Sequence, residues 1–172
     1  TKATLYDFWG NLKSESDWQG NTYSYTYDRA NRLTNKKNPL EIANSQQGTS
    51  YLYDKAGNTI RITDSLGQVT QQIFDSNNNL IKVINPKGIV ATYTYDKKDQ
   101  ITKQVNFAGE QTLFAYDSRG NIVSSKDNLN YETKFEYNSR SLITKVIDAN
   151  NSATTIAYDQ YRQKISETNQ LG

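Results

Sequence analysis

The sequence predicts an all-β protein, a repetitive antiparallel β-meander of short hairpins with two strands in each 21-residue repeat. An aromatic residue followed by Asp or Asn recurs eight times, and six of the seven intervals between these aromatics are 21 residues. Residues that favour turns return at two fixed places in each repeat, and runs suited to strands lie between them. A fixed period is typical of repeat proteins, so we interpret residues 1–172 as one domain of eight repeats. The repeats start at Tyr6, Tyr27, Tyr53, Phe74, Tyr95, Tyr116, Tyr137 and Tyr158.

The first turn of each repeat begins directly after the aromatic, which we number position 1. Three repeats carry Asp at position 2 and Gly at position 5, the spacing that a type I turn favours. The Asp side chain accepts hydrogen bonds from backbone N–H groups farther along the turn, and Gly supplies a positive φ. These pairs are Asp7 and Gly10, Asp54 and Gly57, and Asp117 and Gly120.

The second turn begins at position 12, which is Asp or Asn in all eight repeats. Gly follows at position 15 in five of them, and both prolines, Pro39 and Pro86, occupy position 13. A fixed φ suits the second residue of such a turn. The pairs that define this turn are Asp17 and Gly20, Asp64 and Gly67, Asn85 and Gly88, and Asn106 and Gly109, with Gly172 at position 15 of the last repeat.

Two strands connect the turns of each repeat. Strand A runs from position 17 to the next position 1, as in residues 22–27, and its aromatics at positions 20 and 1 share one face. Strand B starts at position 7 with Leu or Ile in six repeats, and the first turn places this residue opposite the aromatic. Because 21 is odd, a plain meander would move the aromatics to the other face at each repeat. Either the two turns differ by an odd number of residues in how they pair their flanking strands, or each repeat contains one β-bulge.

One interval of 26 residues marks a five-residue insertion within residues 40–48. Its polar sequence predicts a loop at the second turn, either a tolerated surface insertion or a contact loop.

Composition excludes several classes of function. The chain has no Cys and no His, so it lacks thiolate chemistry and the commonest general base and metal ligand. Its net charge of +2 indicates neither nucleic acid nor anionic membrane as a partner, and no apolar run is long enough to span a membrane. Eleven of the eighteen acidic residues are assigned to turns, which leaves little support for paired catalytic carboxylates. We therefore predict no enzymatic activity, catalytic residue, cofactor or metal site.

The motif Tyr-Asp-x-x-Gly-Asn-Leu/Ile resembles the YD repeat of RHS proteins, and it is best preserved as YDFWGNL, YDKAGNT and YDSRGNI. This family includes bacterial polymorphic toxins, C components of toxin complexes, wall-associated proteins and teneurins. The resemblance covers all eight repeats and implies a curved β-strip that forms a section of a hollow shell. Toxin shells also contain an aspartyl self-cleaving segment with an Asp-Pro motif, and this chain has no Asp-Pro pair.

Two functions remain open at this stage. The resemblance implies a secreted or cell-surface structural section that, with the remaining repeats of a longer protein, encloses or displays a toxin or other C-terminal cargo domain. The alternative is an adhesin that binds carbohydrate or protein through the aromatic repeat face, with Trp9 and Trp18 as the candidate surface binding residues. Packed aromatic rings would favour the wall, and rings splayed into solvent would favour the binding module.

The ends of the repeat array predict a further contact. Residues 1–6 form a strand A and residues 164–169 a strand B, each with one unpaired edge. Because these edges are complementary in register, we expect head-to-tail self-association unless the sheet curls far enough to pair its own two ends.

Overall fold

The computed structural model describes residues 3–169 as sixteen antiparallel strands and one short helix, arranged in two compact units. Gly172 therefore lies outside the described residues. The strands of the first unit are β1 (Ala3–Tyr6), β2 (Leu12–Ser16), β3 (Thr22–Tyr27), β4 (Leu33–Lys37), β5 (Thr49–Tyr53), β6 (Thr59–Thr63), β7 (Val69–Phe74) and β8 (Leu80–Ile84), with helix α1 (Pro39–Ala43) after β4. The strands of the second unit are β9 (Val90–Tyr95), β10 (Ile101–Val105), β11 (Gln111–Tyr116), β12 (Ile122–Asp127), β13 (Glu132–Tyr137), β14 (Ile143–Ile147), β15 (Ala153–Tyr158) and β16 (Lys164–Asn169).

Each unit is a meander in which every strand pairs with the strands next to it in sequence. This architecture confirms the predicted fold class of two strands per repeat. Strand A occupies Thr22–Tyr27 in the second repeat, as predicted, and strand B begins at position 7 in all eight repeats.

Both turns of the repeat have the same backbone geometry. In residues 7–11 the backbone N–H of Asp7 donates to the carbonyl of Asn11 (2.9 Å), and the N–H of Gly10 donates to the carbonyl of Asp7 (3.1 Å). Residues 17–21 repeat this arrangement, with the Asp17 N–H donating to the Asn21 carbonyl (3.1 Å). Since the two turns are alike, they do not explain the odd period.

The odd period is accommodated by one β-bulge in each repeat. In the hairpin of β11 and β12, Tyr116 pairs with Ile122 but Ala115 pairs with Ser124, so Val123 is the extra residue. The same shift follows the first turn in β1–β2, β3–β4, β5–β6, β7–β8, β9–β10, β13–β14 and β15–β16. One extra residue in 21 restores an even spacing, so every position 1 returns to the same face.

The insertion differs from its prediction, because it contains a helix rather than only a loop. Asn38 is the N-cap of α1, and its side chain accepts from the Glu41 N–H (2.9 Å) while the Glu41 carboxylate accepts from the Asn38 N–H (2.7 Å). Pro39 opens the helix, where its missing N–H has no cost. Gly48 then passes so close to β4 that a Cβ would lie 2.5 Å from the Lys36 carbonyl oxygen.

The meander has no closed core. Within residues 3–169 only Ala91, Glu41 and Gly48 are buried, the first two at 3 % and 8 % exposure, and the remaining residues are half-buried or exposed. Stability must therefore come from the turns and from contacts within one layer.

Glycine at the turns has a testable energetic role. Gly67 and Gly120 adopt φ values of 79° and 88°, so we expect that Gly→Ala at either costs about 1 kcal/mol of unfolding free energy. No atom lies within 4 Å of a Cβ at Gly67, so backbone strain alone acts there. Urea unfolding of each variant measures the cost, and unchanged stability in both would contradict this account of the turns.

Candidate functional site

Four of the position 1 tyrosines form a ladder of hydrogen bonds, each joining its repeat to the one before it. The Tyr137 hydroxyl donates to the Ile122 carbonyl at 2.7 Å, and Ile122 is position 7 of the preceding repeat. The equivalent bonds join Tyr27 to Leu12 (3.0 Å), Tyr53 to Leu33 (2.8 Å) and Tyr116 to Ile101 (2.8 Å). To make this bond, each ring must lie across the neighbouring strand rather than project into solvent.

The ladder is completed by aliphatic partners on the same face. As predicted, the aromatic pairs directly with Leu or Ile at position 7 in six repeats, for example Tyr137 with Ile143 and Phe74 with Leu80. The two exceptions are Tyr53, which pairs with Thr59, and Tyr158, which pairs with Lys164. We call this face of each unit the aromatic face. Apart from Tyr6, which is 57 % exposed, its position 1 rings are half-buried against neighbouring strands, the arrangement expected of a wall.

The edge formed by the first turns carries a second set of contacts between repeats. The Asn11 side-chain amide donates to Asn31 (2.9 Å), Asn58 donates to Asn78 (2.8 Å), and the Arg140 guanidinium donates to the Gln160 carbonyl (2.9 Å). In the described part of the chain, no side-chain hydrogen bond links neighbouring second turns. The two edges of the described strands therefore differ, because the side-chain hydrogen bonds between neighbouring turns of residues 3–169 lie at the first-turn edge.

Arg32 makes the most extensive of these contacts between repeats. Its guanidinium forms an ion pair with Asp28 (2.8 Å), donates to the Asp54 carbonyl (3.0 Å) and lies 4.7 Å from the centre of the Tyr53 ring. The ring contact is a cation–π interaction, worth roughly 0.5–1 kcal/mol at an exposed site. Sequence reasoning missed Arg32 because two of its partners, Tyr53 and Asp54, belong to the next repeat.

The turn carboxylates act as caps, as the motif predicted. Asp117 Oδ1 accepts from the backbone N–H groups of Arg119 and Asn121 (2.9 Å each), and its Oδ2 accepts from the Asn121 amide (2.8 Å). This amide bond is the main reason that the pKa of Asp117 lies below its ordinary value. Asn side chains lower the pKa of Asp7, Asp17 and Asp54 in the same way, whereas backbone N–H groups are the main cause at Asp28 and Asp75. Among residues 3–169, no three carboxylates converge in a way that would hold a metal ion.

These pKa shifts predict how stability depends on pH. The folded pKa of six turn aspartates lies below the unfolded value of 3.8, so their contribution is complete above that value and is lost as pH falls through the folded pKa. Burial, aided by Glu15, raises the pKa of Tyr25 to about 12, so its contribution is lost as pH rises from about 10 to about 12. With no His, we expect constant stability between about pH 5 and 8. Urea midpoints across pH 2–12 test this profile, and a sharp transition near pH 6 would contradict it.

The structure places the two candidate tryptophans at opposite ends of β2. Trp9 lies in the first turn and Trp18 in the second, and both are largely exposed (73 % and 78 %). They do not form a joint site. Trp9 instead stacks edge-on against Phe8 (5.8 Å, 89°) and borders a small depression that Tyr27, Asp28, Arg29 and Asn31 also line.

The repeat geometry agrees with comparison to known proteins. Residues 17–172 match the family described as Teneurin YD-shell. The chain belongs to this YD-shell family. Its repeats are thus those of a structural shell, and the resemblance inferred from the YD motif is confirmed. A comparison with curated protein sequences finds no match.

Solved structures of TcdB2-TccC3 complexes share the fold. A crystal structure of TcdB2-TccC3-Cdc42 and one of TcdB2-TccC3 each match with a TM-score of 0.61 and 14 % identity over 96 % of this chain. A structure of TcdB2-TccC3 without the hypervariable C-terminal region matches at 0.61 and 13 %. This chain spans 12 % of the length of each of these structures. No helix among residues 3–169 has the length and apolar character to cross a membrane.

Proposed function

We propose that this chain is a non-enzymatic section of a secreted or cell-surface YD-repeat shell, which encloses or displays a toxin or other cargo domain. The observation that carries the proposal is the tyrosine ladder. Four described hydroxyls bond to carbonyls of the preceding repeat at 2.7–3.0 Å, which uses the most regular side chains of the sequence to hold the sheet together. Side chains committed to neighbouring repeats suit a wall better than a ligand-binding platform.

The absence of a core from residues 3–169 supports the same function. A single layer with two accessible faces encloses a large volume with little polypeptide, and the bulge in every repeat keeps those faces distinct. YD-shell membership and the likeness to toxin-complex structures add to this support. The identity of the enclosed or displayed domain as a toxin rests on the resemblance to RHS proteins.

Thiol labelling of the two faces of the sheet tests whether the sheet forms an enclosing wall. Because the chain has no Cys, Thr154→Cys reports the aromatic face and Thr155→Cys the opposite face at neighbouring positions of β15. In the natural polypeptide, we expect one thiol to react with a bulky maleimide at least about tenfold more slowly than the other. Opening the shell by proteolysis should make the maleimide reaction rates of the two variants similar. Similar rates in the intact polypeptide would contradict enclosure.

A second candidate, binding of a glycan or protein at the first-turn edge, is favoured by Trp9. Its exposed ring beside the depression near Asp28 and Arg29 offers an apolar surface with polar groups around it. A glycan array probed with the wild-type chain and with Trp9→Ala tests this, and Trp18→Ala is the matched control. A signal that depends on Trp9 supports glycan binding. Absence of such a signal across the array would exclude a glycan as the ligand of the first-turn edge.

A further inference from the structure

The face opposite the aromatic ladder is strongly basic in the first unit. We call it the polar face, and its strand positions include Lys37, Arg61 and Lys82, which pair directly with Ser24, Leu52 and Ile73. Arg61 is exposed, and both lysines are half-exposed. None of the three forms an ion pair within residues 3–169.

The acidic residues of this unit are all placed elsewhere. Six aspartates cap the turns, from Asp7 in the first repeat to Asp75 in the fourth. Glu15 lies on the aromatic face, where it accepts a hydrogen bond from the Tyr25 hydroxyl (2.8 Å), and Glu41 caps α1. The polar face of the described part of this unit therefore carries cations without a carboxylate, although the net charge of the chain is only +2.

On the polar face of the second unit, carboxylates neutralise some of the lysine charges. Glu132 and Glu136 lie there, each 3.5 Å from a lysine, Lys134 and Lys145 respectively. The Lys134 and Lys126 charges also help to keep the pKa of Glu132 below its ordinary value, after the hydrogen bond from Ser124. The first unit has the same kind of cations but lacks these internal partners.

Exposed aliphatic side chains accompany the cations of the first unit. Leu52 and Ile73 are 53 % and 41 % exposed and stand directly opposite Arg61 and Lys82. Leu52, Ile60, Arg61 and Gln71 also line a shallow depression on this face. A guanidinium beside exposed aliphatic groups fits a carboxylate whose neighbours are apolar, a combination that polypeptides provide.

We propose that the polar face of the first unit, centred on Arg61, binds an acidic polypeptide segment that also carries aliphatic side chains. Arg61 and Lys82 lie two strands apart (roughly 9.6 Å) and are offset by two residues along the strands (roughly 6.6 Å), so their Cα atoms are roughly 12 Å apart. An extended peptide advances about 3.3 Å per residue and alternate side chains share a face, so carboxylates at every fourth residue, about 13 Å apart on one face, match this spacing. No aromatic residue lies on this face in the described part of the unit, which disfavours single-stranded nucleic acid because its bases need rings to stack on. The inference does not depend on the proposed wall.

The test measures fluorescence anisotropy of a labelled peptide, Glu-Gly-Leu-Gly repeated four times, against the full chain at low ionic strength. We expect saturable binding that weakens about tenfold in the double variant Arg61→Glu/Lys82→Glu, since two attractions become repulsions. The matched control Lys55→Glu/Lys87→Glu changes net charge equally but at the turn edges, and it should retain affinity within about twofold. If the Glu variant fails to fold by circular dichroism, Arg61→Gln/Lys82→Gln supplies the measurement, with a smaller loss expected.

Several outcomes would overturn the proposal. Absence of binding, or equal losses in the polar-face variant and the turn-edge control, would show that Arg61 and Lys82 form no site. Equal affinity for a polyglutamate of the same length would remove the aliphatic contribution. Tighter binding of a single-stranded oligonucleotide or of anionic phosphatidylserine vesicles would assign the face to a different class of partner.

Discussion

Deletion of Thr133 is expected to destabilise the chain by more than about 4 kcal/mol, whereas deletion of Val123 should cost much less. Thr133 lies within β13, opposite Ser125 of β12, and the turns at both ends of this strand fix its length. Without it, either Phe135 and Tyr137 or the residues before them must move to the polar face. Neighbouring strands cannot absorb the change, because they pair with β13 on both sides.

Val123 is the matched control because it is the extra residue of the bulge in β12. Its removal lets Ile122 and Ser124 follow Tyr116 and Ala115 in continuous pairing, and each keeps its face. Urea and thermal unfolding monitored by circular dichroism compare the two deletions. Equal losses would contradict the role of the bulge in correcting the odd period.

Replacing Tyr137 with Ala is expected to cost about 3 kcal/mol of unfolding free energy. The substitution removes a half-buried ring that packs opposite Ile143 and breaks the hydroxyl bond to the Ile122 carbonyl at 2.7 Å. Tyr137→Phe keeps the ring and loses only the hydrogen bond, so it should cost about 1 kcal/mol.

Tyr161→Ala is the control for this series, because Tyr161 lies in a turn and is 74 % exposed. Its loss should be within about 0.5 kcal/mol of zero. The three variants are compared by urea unfolding at pH 7. If Tyr137→Ala costs no more than Tyr161→Ala, the tyrosine ladder does not hold the repeats together.

Local patterns were sufficient to predict most of the fold. An Asp-x-x-Gly turn is determined by residues within it, so the sequence predicts the positive φ that Gly67 and Gly120 adopt. The odd period required a correction, and a bulge was one of two predicted solutions. Its position was not predicted, because it depends on how strand B pairs with the strand before it.

The helix at the insertion was missed although its signal was present. Asn38, Pro39 and Glu41 have the spacing of a helix N-cap, first helical residue and capping box. The repeat pattern led us to assign Asn38 to a turn instead. The capping sequence prevailed because it satisfies the backbone groups of the inserted segment locally.

Contacts between repeats could not be predicted from the pattern. The carbonyl that accepts from Tyr137 belongs to Ile122, fifteen residues earlier, and only the paired strands bring these groups together. Arg32 and Tyr53 meet for the same reason. Trp9 and Trp18 are close in sequence, yet β2 separates them by about 17 Å because it is an extended strand.

Electron cryo-microscopy of the natural polypeptide that contains this chain tests the central claim most directly. The account predicts that these strands form part of a closed, single-layer β-wall, with the two faces on opposite sides of the wall and protein density enclosed or held by it. An open sheet with both faces in solvent, or a second layer packed on the tyrosine ladder to form an ordinary core, would contradict the assignment of this chain to a shell wall.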